Sequence, residues 1–576
     1  METFAENLRS AYSEVPERLA ITLQQAGEPD LQLSYEDLIQ EAAGYAHALD
    51  EMGVRPGEVV ILIFNHGLDL VFSFIGAALH GAVPSIMPFL TEKLSPERYR
   101  DSLSALFEIS EPSAVVTYPA FDAEVHKAIA KADLSEFALP KVLKSDQVSL
   151  NNEIDWCSLA GLQRSVNDLV LLQHSSGTTG LQKGVALSHR ALFNQIENYS
   201  QALQMDADDV VVSWLPLYHD MGLIAGFIMP LLTRMPLVLL SPFDWVRAPY
   251  RLMQAISKYK GTLCWLPNFA YNFCAQKIRE RDLQGVSLSS WRAVINCSEP
   301  MHWKSHELFL EKFSPFGLNP QALATCYAMA ENVFAVTQGG MGEPVVEDII
   351  DRHVYLNHQE AVPVNPYSEE METLKMLSAG RPIANSRLNV LDDGGEELPD
   401  RHIGEIALQS DCMLMGYYKR PDLTEIAFLD GWYLTGDMGY IADGELYITG
   451  RKKDLIIVGG KNIYPQDIER LAGDVDRVHP GRVAAFGVFN DRTGTEDIVV
   501  VAEVEDLAVQ EPAFTSNEPE RTLEEIETEI RRLVTQGSDI ALRHVYLVGR
   551  NWLVKTSSGK VARSANRGKY LEEVGY

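Results

Sequence analysis

The chain has 576 residues, 46% of them hydrophobic and 9% aromatic, too long for one core and too apolar for a disordered or fibrous protein. Its formal net charge of −31 repels phosphate backbones and anionic lipid, which argues against nucleic acid and membrane surfaces as partners; any bound polyphosphate must be neutralised by a few placed cations or a metal. Six cysteines (Cys157, Cys264, Cys274, Cys297, Cys326 and Cys412) occur without a C-x-x-C pair, which argues against a zinc site or a disulfide framework and for reduced, mostly buried thiols in a cytoplasmic protein.

The opening METFAENLRSAYSEVPERL has neither a basic n-region nor an apolar h-region, so no signal peptide is expected. Ser34–Met52 then reads as a helix, Glu58–Phe64 as a buried strand, Leu68–His80 as a helix and Ala114–Tyr118 as a strand. Further strands are expected at Val210–Ser213, Leu237–Ser241, Gly261–Leu266 and Ala293–Cys297. Such alternation predicts an α/β fold with mainly parallel sheets. The apolar stretches Leu70–Leu90 and Met221–Phe243 are interrupted by His80, Pro84, Arg234 and prolines, which are costly in lipid, so both read as buried core with no stable membrane insertion. Past Asn389, NVLDDGGEELPD, GEIALQS and GELYITG read as hairpins of a small β-rich subdomain. After Gly450, strands are expected at Val483–Val488 and Asp497–Val504 and a helix over Thr522–Thr535. The pattern therefore predicts a large N-terminal domain over 1–450, of two mainly parallel sheet–helix subdomains plus the β-rich one, and a small mobile α/β domain over 451–576.

The sharpest local signal is LLQHSSGTTGLQKGV, Leu171–Val185. An apolar strand runs into Ser175, Ser176, Gly177, Thr178, Thr179 and Gly180, then Lys183 and Gly184. Small residues let backbone N–H groups approach phosphate oxygens, the hydroxyls add donors, and Lys183 supplies a cation. It is not a Walker A loop, because Gln182 stands where that loop needs Gly and Lys183 is followed by Gly184.

This segment resembles the phosphate-binding loop of the adenylate-forming superfamily, which includes acyl-CoA synthetases, peptide-synthetase adenylation domains and luciferases; Gln182 replaces the usual Pro. Further matches follow in the order the family requires: CYAMAEN (Cys326–Asn332), WYLTGDMGY (Trp432–Tyr440), GRKKD (Gly450–Asp454) and VKTSSGKVAR (Val554–Arg563). The resemblance implies that Tyr327 stacks on adenine, with Ser298, Ala328 and Met329 also in the nucleotide site, and that Glu331 helps hold Mg2+. It implies that Asp437 and Arg451 contact the ribose, that Lys453 is a hinge and that Lys560 is catalytic. The chemistry supports a mobile cation: as a carboxylate attacks the α-phosphorus of ATP, negative charge builds on the phosphate oxygens, and an ammonium can hold it in one domain orientation and withdraw in another.

Finer segments are similar to fatty acyl-AMP ligases: WLPLYHDMGLI (Trp214–Ile224), LSPFDWVRAPYRL (Leu240–Leu252), LPNFAYNFC (Leu266–Cys274), LSSWRAVINCSEP (Leu288–Pro300) and NIYPQDIE (Asn462–Glu469). Trp214, Pro267, Phe269 and Tyr271 suit an acyl pocket, with His219 beside the reacting carboxylate. About 50 residues separate Glu331 from Gly380, and the stretch 333–378 stands where those ligases carry an insertion thought to disfavour CoA. The resemblance thus implies ATP- and Mg2+-dependent formation of a fatty acyl-adenylate and transfer to the phosphopantetheine thiol of an acyl carrier protein. Arg563, Arg567 and Lys569 are candidates for a basic patch that docks the carrier. An AMP-forming acyl-CoA synthetase is the alternative, and a non-catalytic nucleotide-binding protein a remote one.

Overall fold

The computed structural model describes the chain apart from residues 1, 91–95, 136–137, 150–153, 176–182, 365–371, 459–460, 491–494, 506–521, 539–541, 557–558 and 575–576. It divides into two compact units. The first is Met1–Val346 with Leu377–Arg387 and Leu408–Tyr433; the second is Glu347–Met376 with Leu388–Ala407 and Leu434–Tyr576.

The strands of unit 1 that position the site are, in chain order, β1 (Leu19–Gln24), β2 (Leu31–Ser34), β3 (Val59–Ile63), β4 (Val83–Met87), β5 (Ala114–Thr117), β6 (Lys141–Lys144), β7 (Leu169–Ser175), β8 (Lys183–Ser188), β9 (Val211–Ser213), β10 (Leu237–Leu240), β11 (Leu263–Leu266), β12 (Ala293–Cys297) and β13 (Leu323–Cys326). A seven-stranded sheet runs β13-β12-β11-β9-β10-β1-β2, parallel except for the antiparallel pair β1–β2. A second sheet, β4-β3-β5-β6, is parallel throughout. A third is antiparallel, with β7 and the short strand Gly416–Tyr417 on either side of β8.

Local chemistry explains these elements. All five residues of β3 are buried, as a parallel strand covered on both faces requires. The helix Tyr35–Glu51 starts where Ser34 and Asp37 form a reciprocal capping box. The helix Leu68–His80 stops at Gly81, whose φ of +86° suits a left-handed cap and whose missing Cβ leaves room for the backbone of Gly161. The two long apolar stretches resolve as expected: Leu70–Leu90 becomes helix and β4, while Met221–Phe243 becomes a π-helix (Met221–Ile228), a short helix and β10. No helix among the described residues is long and apolar enough to cross a membrane. Of the cysteines, Cys157 is exposed and the other five are buried and unbridged.

Parallel strands end at a common edge, so the loops after β9, β10, β11, β12 and β13 leave one side of the large sheet together. Those loops carry Trp214–Asp220, Ser241–Trp245, Pro267–Phe269, Ser298 and Tyr327–Glu331.

Unit 2 contains, from Leu434 onward, the hairpin Trp432–Ala442/Glu445–Arg451 and a three-stranded sheet of Val478–Asn490, Thr495–Val504 and His544–Val548. Helices cover both faces of that sheet. Ile468, Ile526, Ile530 and Val534 pack with Val483 and Val500 on one side, and Tyr570 packs with Phe486 on the other. The expected helix over Thr522–Thr535 is found at Leu523–Ser538, with Thr522 as its N-cap: Thr522 Oγ1 accepts the Glu525 N–H, and the Glu525 carboxylate in the first turn accepts the Thr522 N–H. The helix Arg352–His358 belongs to this unit, and its Tyr355 ring lies 6.1 Å from that of Tyr464.

Candidate adenylation site

The phosphate-loop strand is present as β7, reaching Ser175, and β8 resumes at Lys183; Ser176, Gly177, Thr178, Thr179 and Gly180 lie outside the described residues. Lys183 Nζ sits 4.7 Å from the centre of the Tyr417 ring, a cation–π contact. Tyr417 is held there because its strand pairs with β8, Tyr417 opposite Val185. Its hydroxyl donates to Glu331 Oε1 at 3.0 Å and lies 3.0 Å from the Tyr433 hydroxyl. Lys183, Tyr417 and Glu331 therefore form one connected line, in which the sequence signalled the two ends and missed the middle.

Glu331 lies in the turn Ala330–Asn332, and its carbonyl accepts the Leu414 N–H at 2.8 Å. The next residues are strained. Buried Val333 has φ +63°, a conformation a β-branched residue adopts at a cost, and the Asn332 side chain spans the turn to the Ala335 carbonyl at 2.7 Å. Burial raises the Glu331 pKa and the Asp220 charge adds to it, while the Tyr417 hydrogen bond and the Lys183 charge oppose the shift. Magnesium asks for one or two carboxylates and takes its other ligands from phosphate and water. Glu331 suits that part. Among the described residues no group of three or more His, Cys, Asp and Glu side chains is gathered around a point.

Tyr327 follows β13, with its N–H donating to Thr337 Oγ1 at 3.1 Å and its carbonyl accepting from Val336 at 2.8 Å. Ala328 bridges to Ala335, and the Met329 N–H donates to the Phe334 carbonyl at 2.8 Å. Ser298 follows β12 with φ +68°, and its Oγ lies 3.8 Å from Met221 Sδ. His219 Nδ1 is 2.5 Å from Asp220 Oδ1 but outside hydrogen-bond alignment; Asp220 Oδ1 instead accepts the Met221 N–H at 2.8 Å and caps the π-helix. Gly222 is required by packing, since a Cβ there would fall 2.2 Å from the Pro216 carbonyl oxygen.

Trp214 stacks on Trp245 with ring centroids 3.5 Å apart and planes 7° from parallel. Phe269 meets both edge-on and is itself 37% exposed. Pro267 starts the helix Asn268–Lys277 that presents Phe269. Tyr271 joins a different group: its hydroxyl donates to the Val294 carbonyl at 2.8 Å, and its buried ring packs on His306 and Phe309. Trp245 was not singled out from sequence, although it stands in LSPFDWVRAPYRL in the short helix Pro242–Arg247 that follows β10.

In unit 2, Asp437 and Arg451 face each other across the hairpin, with Arg451 Nε 3.5 Å from Asp437 Oδ1. Lys453 lies in the turn Lys452–Asp454. Lys560 closes a tight loop: the Thr556 N–H donates to its carbonyl at 2.8 Å, and its own N–H donates to Thr556 Oγ1 at 3.1 Å. Arg563, next along, turns inward rather than toward a docking partner. It bonds Asp454 at 2.7 Å and both oxygens of Glu469 at 2.7 and 2.8 Å. Lys569 lies 4.1 Å over the Trp552 ring.

With this geometry in view, residues 8–418 match the family described as AMP-binding enzyme. Over 572 residues the chain is 31% identical to a medium-chain-fatty-acid–[acyl-carrier-protein] ligase, JamA, of Moorena producens, covering 96% of this chain and 93% of that protein. It is 30% identical to the long-chain-fatty-acid–AMP ligase FadD26 of Mycobacterium tuberculosis, covering 94% and 92%. A solved structure from a study of fatty acyl-adenylate ligases of E. coli and L. pneumophila superposes with a TM-score of 0.85 at 25% identity, over 100% of this chain and 98% of that one. The chain belongs to the AMP-binding enzyme family and, within it, to the fatty acyl-AMP ligases.

Proposed function

We propose that the protein activates a fatty acid with ATP·Mg2+ in the cytoplasm and passes the acyl group to the phosphopantetheine thiol of an acyl carrier protein. In the first step a carboxylate oxygen bonds to the α-phosphorus of ATP while the bond to pyrophosphate breaks. In the second the thiol adds to the acyl carbon, AMP leaves and the thiol proton passes to solvent.

The loop from Ser175 to Lys183, through Ser176, Gly177, Thr178, Thr179 and Gly180, takes the phosphates. Tyr327, Ser298, Ala328 and Met329 take the adenine, and Asp437 and Arg451 the ribose. Glu331 would hold Mg2+, which when bound neutralises phosphate charge. Lys560 stabilises the charge that develops on the phosphate oxygens. Trp214, Pro267 and Phe269 line the acyl side, with His219 near the carboxylate, while Tyr271 packs behind them on His306 and Phe309. Lys453 is the hinge between domains spanning 1–450 and 451–576.

The observation that carries this reading is the line Lys183–Tyr417–Glu331, which ties a cation to a carboxylate at the edge where the strands end. The carrier acceptor is supported by the JamA name and by the stretch 333–378, whose helix Arg352–His358 packs beside Tyr464.

The test offers ATP, Mg2+ and a ladder of fatty acids, with CoA and a phosphopantetheinylated carrier protein as separate acceptors, and follows products by mass spectrometry. Acyl-AMP that persists with CoA and is consumed by the carrier is the expected result. Rapid acyl-CoA formation makes the protein an acyl-CoA synthetase instead. Lys560→Ala is expected to lower pyrophosphate release by roughly 100-fold or more while ATP still binds. Release near the wild-type rate removes Lys560 from the chemistry.

A further inference from the structure

Against a formal charge of −31 over the whole chain, residues 542–574 hold seven Lys and Arg and two Glu. The structure gathers part of that excess at one end of the three-stranded sheet of unit 2. There the first strand begins at Val478, opposite Val504, while the other two end side by side at Glu503 and Val548. The chain after Val548 crosses this end: the Leu553 N–H donates to Glu503 Oε1 at 2.8 Å, and Lys555 Nζ donates to the Gly481 carbonyl at 3.0 Å. Arg550 Nη2 donates to His479 Nε2 at 3.3 Å, and Arg482 Nη1 lies 3.5 Å from Glu503 Oε2. Lys569, on the helix Arg563–Val574, donates to the Trp552 carbonyl at 2.9 Å and so joins the same loop.

The acids at this end are already engaged. Glu503 is buried between Arg482 and the Leu553 N–H, and Glu573 accepts from Trp552 Nε1 and the Tyr546 hydroxyl. Arg550, by contrast, is exposed on its loop, and Arg482, Lys555 and Lys569 are half-exposed. The His479 imidazole lies in their field. Its pKa falls below the ordinary value, first through burial and then through the charges of Arg550 and Arg482, with Glu505 and Glu503 pulling the other way. The basic patch expected from sequence was Arg563, Arg567 and Lys569. Arg563 is instead held by Asp454 and Glu469, and the cations of the loop 549–555 stand in its place.

Carrier proteins are often acidic, and two proteins of net negative charge repel at a distance. Such a partner meets this chain productively through a local region of opposite sign, which orients the encounter and disfavours wrong faces. We propose that an acidic surface of the carrier protein docks on the sheet end formed by Arg482, Arg550, Lys555 and Lys569. The proposal rests on the carrier reading above and adds the face of unit 2 that meets the carrier. Arg550 and Lys569 are the residues to test, because Arg482 also neutralises a buried carboxylate and Lys555 stands near the loop of Lys560.

The experiment measures kcat and KM for acyl transfer to a phosphopantetheinylated carrier protein of low isoelectric point, with pyrophosphate release in the absence of carrier as the control. Arg550→Glu and Lys569→Glu are each expected to raise KM for the carrier by about tenfold, while kcat and the control rate stay near wild type. Arg550→Gln removes the charge without reversing it and should give a smaller rise. Arg567→Glu makes the same charge change on the helix of Lys569, but about 200° around it, and should change little. An unchanged KM in both Glu variants overturns the proposal. So does an equal rise in Arg567→Glu, which would make the effect one of net charge. A fall in kcat or in the control rate with KM unchanged marks a structural role and overturns it as well. Acyl-CoA formed while no carrier is acylated removes the carrier reading, and the docking face with it.

Discussion

Lys183 and Glu331 carry opposite charge, and Tyr417 touches both, through its ring face on one side and its hydroxyl on the other. Sequence reading reached the two charged residues because each follows an apolar strand within a short motif. It missed Tyr417 because that residue gains its place only when Gly416–Tyr417 pairs with β8, and it lies 86 residues from Glu331 along the chain. Trp245 was missed for the same reason, since its stacking on Trp214 depends on two loops leaving adjacent strands. The two contacts of Tyr417 can be separated. Tyr417→Phe deletes the hydrogen bond to a carboxylate, worth about 1.5–3 kcal/mol when the acceptor is charged, and keeps the ring over Lys183. The expected result is a KM for ATP·Mg2+ raised by about tenfold with a smaller change in kcat, and a larger rise for Tyr417→Ala. Steady-state pyrophosphate release at varied ATP·Mg2+ measures both; an unchanged KM in the Phe variant would show that the hydroxyl does not orient Glu331.

At the scale of elements the legible part is local. Helix starts were readable from Ser34–Asp37 and Thr522–Glu525, and the parallel strands from their unbroken apolar runs. The π-helix at Met221–Ile228 was not, since a run hydrophobic on every side carries no periodicity to separate it from an ordinary core helix. Nor was the inward turn of Arg563. A basic residue near a chain end reads as surface, whereas here its planar fork meets Asp454 and both oxygens of Glu469. Glu469 also accepts the Ala485 N–H, so Arg563 ties the turn holding Lys453, the helix Pro465–Gly473 and the sheet to the loop that carries Lys560. Arg563→Ala leaves two carboxylates uncompensated and is expected to destabilise unit 2 by about 3–5 kcal/mol. Arg563→Lys, which keeps the charge but not the fork, should lose less. Chemical denaturation followed by tryptophan fluorescence reads the difference: equal losses in the Ala and Lys variants would mean that the charge contributes nothing without the fork, and an Ala variant as stable as the wild type would mean that neither contributes.

At the scale of the whole molecule, two units with separate cores make a single two-state transition the wrong expectation. The sequence could not reveal that Glu347–Met376 clusters with the C-terminal segments, because the contact joins Tyr355 to Tyr464 and neither neighbourhood hints at the other. Asp467 sits close to that contact. Burial raises its carboxyl pKa to about 6, against the pull of Arg470 and Arg352. The folded unit therefore holds a proton that the unfolded chain releases near 3.8, so its stability falls as pH rises from about 4 to 6 and the penalty is complete above 6. Asp467→Asn removes a charge that folding must desolvate. Discounted for partial solvent access, the gain is on the order of 1–2 kcal/mol at pH 7. It should raise the unit 2 midpoint in calorimetry at pH 7, shrink through pH 6 to 5 and vanish below about pH 4, with the unit 1 transition unmoved throughout. A gain that persisted at low pH would trace to packing of the amide, and one shared by both transitions would mean that the units do not melt as separate bodies.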